Sequence, residues 1–160
     1  MAKYSITNGS TSGAGTQQNT TTTYVGSLIG LTGANTAPRR IKIYDVLVGT
    51  NGTPADNFIE FDISRVTTNS TATSATPQPL DQADATSLTT CMVNSSTHGT
   101  ITANSNLFYE GINQRASYRW VAAPGGELVS PATSSAGFQL RVRSGGYTGT
   151  ATGTIHFEEQ

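Results

Sequence analysis

Wherever apolar residues form a run in this chain they recur at every second position, and nowhere at the helical spacing of three to four. Residues 147–157 give the clearest case. Odd positions from Tyr147 to Phe157 are apolar or small, and even positions are four threonines and His156. Successive side chains of a strand point to opposite faces, so this pattern sets one face on a core and the other in water. Residues 58–66 repeat it, with Ile59, Phe61 and Ile63 inward and Glu60, Asp62 and Ser64 outward. In residues 41–48 the apolar positions start odd (Ile41, Ile43) and turn even (Val46, Val48). That change of phase predicts a β-bulge near Tyr44 and Asp45, or burial on both faces. Residues 49–54, rich in Gly and closed by Pro54, signal a turn, and they predict an antiparallel pair of the two runs.

Further strands are predicted at residues 3–7, 22–31, 89–93, 99–103, 107–111, 117–122 and 138–143. Ser144, Gly145 and Gly146 predict a tight hairpin into the last strand. Pro77 and Pro79 exclude a central strand and leave an edge segment, then a loop through residues 80–84. The fold class is all-β, an antiparallel β-sandwich of eight or nine strands over Ile41, Ile43, Ile59, Phe61, Ile63, Trp120, Leu140, Val142, Ile155 and Phe157. Eight strands in two sheets predict a jelly roll, with an immunoglobulin-like sandwich as the alternative. Residues 1–20, a short strand and a Gly/Ser/Thr/Gln tract, read as an extended N-terminal arm, and residues 21–160 as one domain.

At 160 residues the chain buries enough surface to need no staples, and a lone Cys91 forms no internal disulfide. No apolar leader opens it and no run approaches a membrane span, so a soluble cytosolic product is expected. Charged residues are only 12%, replaced by 27 Thr and 16 Ser, and net charge is −1, which offers nucleic acid no footprint. Seven of nine basic residues are Arg. Arg is favoured over Lys at protein interfaces because its guanidinium is planar and weakly hydrated.

Candidate chemistry is thin. Glu60 and Asp62 share a strand face about 7 Å apart, near the carboxylate separation of glycosidases, but cross-strand pairing with Arg141 and Arg143 on a solvated face accounts for them. His156 and Glu158 also share a face, two groups where a metal needs three or four. Cys91 and His98 lack any nucleophile-elbow motif. Asn8, Asn19, Asn51, Asn69 and Asn94 match the glycosylation triplet, as a Thr- and Ser-rich chain does by chance.

Residues 38–49 (Pro-Arg-Arg-Ile-Lys-Ile-Tyr-Asp-Val-Leu-Val-Gly) with 53–57, then 113–125 around Tyr118-Arg119-Trp120, and the close at 154–159, resemble the jelly-roll head decoration (cement) proteins of tailed, cyanophage-like bacteriophages. The resemblance spans residues 38–159. It implies a virion protein made in the host cytoplasm, bound to the capsid exterior. The major capsid protein of the HK97-like class is the implied partner, and a homotrimer the implied form. The family brings no catalytic residues, and no cofactor, metal, nucleic acid or membrane is expected. The interface residues expected are Arg39, Arg40, Arg119, Arg141 and Arg143. The competing expectation is a glycan-binding module using Tyr24, Tyr109 and Tyr147.

Overall fold

A computed structural model describes residues 1–9, 26–144 and 149–160, and these are all β with no helix among them. Among the described residues, twelve strands form two antiparallel sheets. They are β1 (Lys3–Thr7), β2 (Ser27–Thr32), β3 (Ile41–Gly52), β4 (Phe58–Val66), β5 (Thr73–Ala75), β6 (Gln78–Pro79), β7 (Thr90–Ser95), β8 (Ile101–Asn113), β9 (Tyr118–Val121), β10 (Leu128–Val129), β11 (Gly137–Ser144) and β12 (Gly149–Glu159). The first sheet runs β3-β12-β1-β6, with β9 and β10 end to end along the other edge of β3. The second runs β5-β7-β2-β11-β4-β8. Lys3–Thr7 is thus integral to a sheet. The tract and boundary expected at residues 8–20 fall mostly outside the described residues, as do residues 22–25 of the second expected strand.

Two expected pairings are corrected. β3 and β4 do not pair: β3 lies in the first sheet against β12, β4 in the second between β11 and β8. The turn at residues 49–54 is no hairpin, because β3 continues through Gly52 in register with Gly149 and the chain then crosses between sheets. Buried Gln114 clasps that crossover. Its side chain accepts from Ala55 N (3.1 Å) and donates to Phe58 O (3.1 Å), and its backbone N–H bonds Asn57 O (2.8 Å). Likewise β11 and β12, expected as a hairpin, pair with different partners, β11 with β2 and β4, β12 with β1 and β3. Gly145 and Gly146 lie outside the described residues.

The inner faces carry the alternation read from the sequence. Nine of the ten expected core residues are buried, and Trp120 packs half-buried at the margin. There Phe108 of β8 meets Tyr118 and Trp120 of β9, with centroids 6.0 and 6.2 Å apart, so an aromatic cluster closes the open side between the sheets. The phase change in β3 is a bulge: His156 faces Asp45 and Phe157 faces Ile43, leaving Tyr44 as the extra residue.

The outer face of the second sheet departs from expectation. Asp62, Ser64, Gln139 and Arg141 are all buried on it. Loops folded back over this face take up its polar groups. Asn69 Nδ2 donates to Thr32 Oγ1 (3.1 Å), and Gly99 N donates to Gln139 Oε1 (2.8 Å). Buried polar groups need such partners, so the outer face is a second, hydrogen-bonded layer.

Candidate interaction surface

Most cations of this protein are neutralised internally. Lys3 and Lys42 pair with Glu158 at 3.7 Å each, and Lys42 also with Glu127 at 3.3 Å. Arg115 pairs with Asp56 (3.0 Å), and Arg65 donates to Val129 O (2.9 Å) over the Phe138 ring. Arg119 grips Asp45 with two bonds, Nε to Oδ1 at 3.0 Å and Nη2 to Oδ2 at 2.7 Å. That guanidinium holds the Asp45 carboxyl below the usual carboxylate range against the opposing effect of burial, and His156 Nδ1, 2.9 Å away, adds to it. Arg143 pairs with Glu60, and Arg141 with Asp62 at 2.6 Å. Both pairs lie across the β4–β11 ladder, as the cross-strand reading expected.

Burial sets Arg141 apart from the others. The Arg141 side chain is only 10% exposed and its partner Asp62 0%, with Ser64 and Asn106 also donating to that carboxylate. Arg141 therefore belongs to the interior layer. Arg119 and Arg143 are part-exposed but already bound to carboxylates. Arg39 and Arg40 alone among the described cations are exposed with no ion pair or side-chain hydrogen bond to another described residue.

The fold holds that pair at one end of the sandwich. Arg40 exchanges two backbone hydrogen bonds with Gln160 (3.0 Å each), which ties the β2–β3 connection to the end of β12. Arg39 borders a depression of about 260 Å³ with Tyr4, Ala85, Leu88 and Glu159. Glu159 organises the wall opposite, accepting from Thr89 N (2.8 Å), Thr89 Oγ1 (2.7 Å), Leu88 N (3.2 Å) and Ser87 Oγ. Tyr4 Oη donates to Ala85 O at 3.0 Å, and its pKa is raised by burial first, then by Glu159 and Asp84. Leu80 and Leu88 are exposed, and neither Asp81 nor Asp84 has a cationic partner among the described residues. Arg39 and the exposed Leu88 thus share one depression, with Arg40 tied to its border at Gln160 and Asp84 acting on Tyr4 in its lining. Charged groups steer and orient a partner, and apolar ones supply the burial.

Other sequence candidates are placed as follows. No group of three or more His, Cys, Asp or Glu among the described residues can hold a metal ion. Cys91 is buried in β7, its thiol pushed up to about 12 by desolvation. His98 is exposed, its Nδ1 2.7 Å from Gly99 O. Asn8 is buried, donating to Ala151 O and accepting from Gly153 N, so its amide is structural. Asn19, Tyr24 and Tyr147 lie outside the described residues. Sequence reasoning missed Gln114 and Asn69, since one polar residue in a loop gives no periodic signal. Compared with protein-family profiles, curated proteins and solved structures, the chain gives no match.

Proposed function

We propose that this chain is a virion structural protein that decorates the outside of a phage head and reinforces the junctions between capsomers. The observation that carries the reading is the Arg39–Arg40 surface, two uncommitted guanidinium groups beside the exposed Leu88 on a sandwich whose other described Lys and Arg side chains are already bound. A partner offering carboxylates around an apolar patch, the major capsid protein in this reading, complements it. The strand order supports a jelly roll. Along the chain β1, β3, β9 and β12 form one four-strand path, β12 between β1 and β3, while β2, β11, β4 and β8 form the other. The segment holding β5, β6 and β7 adds only to the far edges. Jelly rolls recur in viral shells, where two packed sheets resist deformation.

Packaged DNA loads a shell outward, and a rigid module bridging two capsomers adds buried area that must be lost before the junction opens. A homotrimer multiplies a modest contact through effective concentration, by roughly 10²–10⁴ in avidity. The test is cosedimentation of the purified protein with phage heads lacking it, together with its native mass. Saturable binding by a species of three 16.7 kDa chains, lost in the double variant Arg39→Glu/Arg40→Glu, is the expected outcome. Wild-type binding by that variant, or no binding to heads at any ratio, sinks the proposal.

A further inference from the structure

A second surface, independent of the first, lies on the outer face of the second sheet where β4 meets β8. The register lays out its side chains. Phe58 is opposite Asn113, Glu60 opposite Gly111, and Asp62 opposite Tyr109. Opposed residues share a face, so Phe58, Glu60 and Tyr109 stand on one side of the sheet around the bare backbone of Gly111. Phe58 is 43% exposed and Tyr109 54%, two of the few large hydrophobics the described fold leaves in water. At the Phe58 end is a shallow depression of about 510 Å³, lined by Asp56, Asn57, Phe58, Glu60, Gly111 and Asn113, with Tyr109 beyond it along β8.

Its polar groups are set rather than loose. Arg143 pairs with Glu60 and also sits over the Phe58 ring, 5.7 Å from the centroid, so one guanidinium fixes both a carboxylate and an aromatic ring. The pairing cancels charge, and the Glu60 side chain keeps 16% of its surface in water beside it. Asn113 Oδ1 accepts from Arg115 N at 2.9 Å, so of its amide group only the NH₂ is left to serve a ligand, as a donor. Phe58 N donates to Asn57 Oδ1 at 2.8 Å, and the Gln114 clasp holds Phe58 O, so the platform starts from fixed backbone.

We infer that this face is a binding site for a neutral linear oligosaccharide. Pyranose rings offer an apolar C–H face to an aromatic ring and a rim of hydroxyls that both donate and accept. The site offers two aromatic faces, a carboxylate acceptor, an amide donor and no net charge. Phe58 and Tyr109 are offset by four residues along the strands, about 13 Å, so one sugar ring cannot reach both and an extended chain can. A shallow, open site with few oriented polar groups suits such a ligand better than a compact apolar one. Gly111 is the residue that makes the room, since a Cβ there would meet only Glu60 Cγ at 3.6 Å, ordinary contact that a folded variant tolerates.

The test is a ¹H–¹⁵N titration of the full chain with cellotetraose, maltotetraose and chitotetraose. At least one should shift the amides of Phe58, Gly111 and Asn113 with a Kd of about 1 mM or tighter. Tyr109→Ala should weaken it about tenfold, the loss of one aromatic contact, and Gly111→Val should abolish it, with thermal unfolding unchanged in both. No shift with any probe, wild-type binding by Tyr109→Ala, or shifts confined to the Arg39–Leu88 surface would each overturn the inference. Head binding by Tyr109→Ala should stay at wild-type level, so the two proposals fail separately.

Discussion

The two ion pairs across β4 and β11 are a natural experiment in burial, two residues apart in one ladder with the same chemistry. Arg141–Asp62 is 10% and 0% exposed in its side chains, Arg143–Glu60 34% and 16%. Arg141→Met leaves the Asp62 carboxylate charged and out of water, with only Ser64 and Asn106 to stabilise it. An uncompensated buried charge costs about 3–5 kcal/mol. Arg143→Met leaves Glu60 able to rehydrate and loses a partly exposed pair and a cation–π contact, about 0.5–1.5 kcal/mol. The triple variant Asp62→Leu/Ser64→Ala/Arg141→Met removes the charges together with the buried hydroxyl that would otherwise lose its acceptor. It should return to within about 1 kcal/mol of wild type, since apolar replacements of buried pairs are often neutral or better. Urea unfolding with a constant m-value measures all three. In heat the Arg141→Met loss appears as a fall of about 6–20 °C, at about 2–4 °C per kcal/mol for this chain length. If Arg141→Met costs no more than Arg143→Met, burial is not what sets the strength of these pairs.

Stability should carry a pH signature at Asp45. Its folded pKa is depressed, so its contribution is fully present above the unfolded value of about 3.9 and is lost as pH falls through the lower folded value. Arg119→Met should accordingly destabilise at neutral pH, and the gap from wild type should close as urea midpoints are followed down through that range. Cys91 should resist iodoacetamide at about pH 8 in the folded protein and react quickly in denaturant, because a buried thiol pushed up to about 12 carries almost no thiolate. Gly137→Ala should cost about 1–3 kcal/mol, since its methyl would overlap the Leu31 carbonyl oxygen of the neighbouring strand. Gly153→Ala, whose Cβ meets the movable Leu140 Cδ2 at 2.7 Å, should cost less in the same urea series.

What the sequence made legible was whatever one strand states about itself. The alternation through Ile59, Phe61 and Ile63 identified inward faces, and the phase slip from Ile43 to Val46 located the Tyr44 bulge. Partners were not legible in the same way. A Gly- and Pro-rich connector reads alike whether it returns the chain to the same sheet or carries it to the other, so β3–β4 and β11–β12 look like pairs in the sequence and are not. Residues 101–113 read as two short strands because Thr102, Asn104 and Asn106 break the apolar pattern, yet they form the single edge strand β8 with irregular register. The interior placement of Arg141 depends on Asp62 and on loops distant in sequence, which no local window contains. Of the candidate surface, Arg39 and Arg40 were visible as a basic pair. Their freedom from partners was not, because it follows from how every other cation is bound.

The order in which the strands are made carries a consequence for biogenesis. β12 separates β1 from β3, and β11 separates β2 from β4, so the middle of each sheet is synthesised after both of its flanks. Until residues 137–159 leave the ribosome, four strand edges stand open with no backbone to satisfy them, a state prone to misassociation. Closure is then one late event that inserts two strands into two waiting gaps. Nascent chains halted before residue 137 should remain protease-sensitive throughout, with no stable half-domain to protect them.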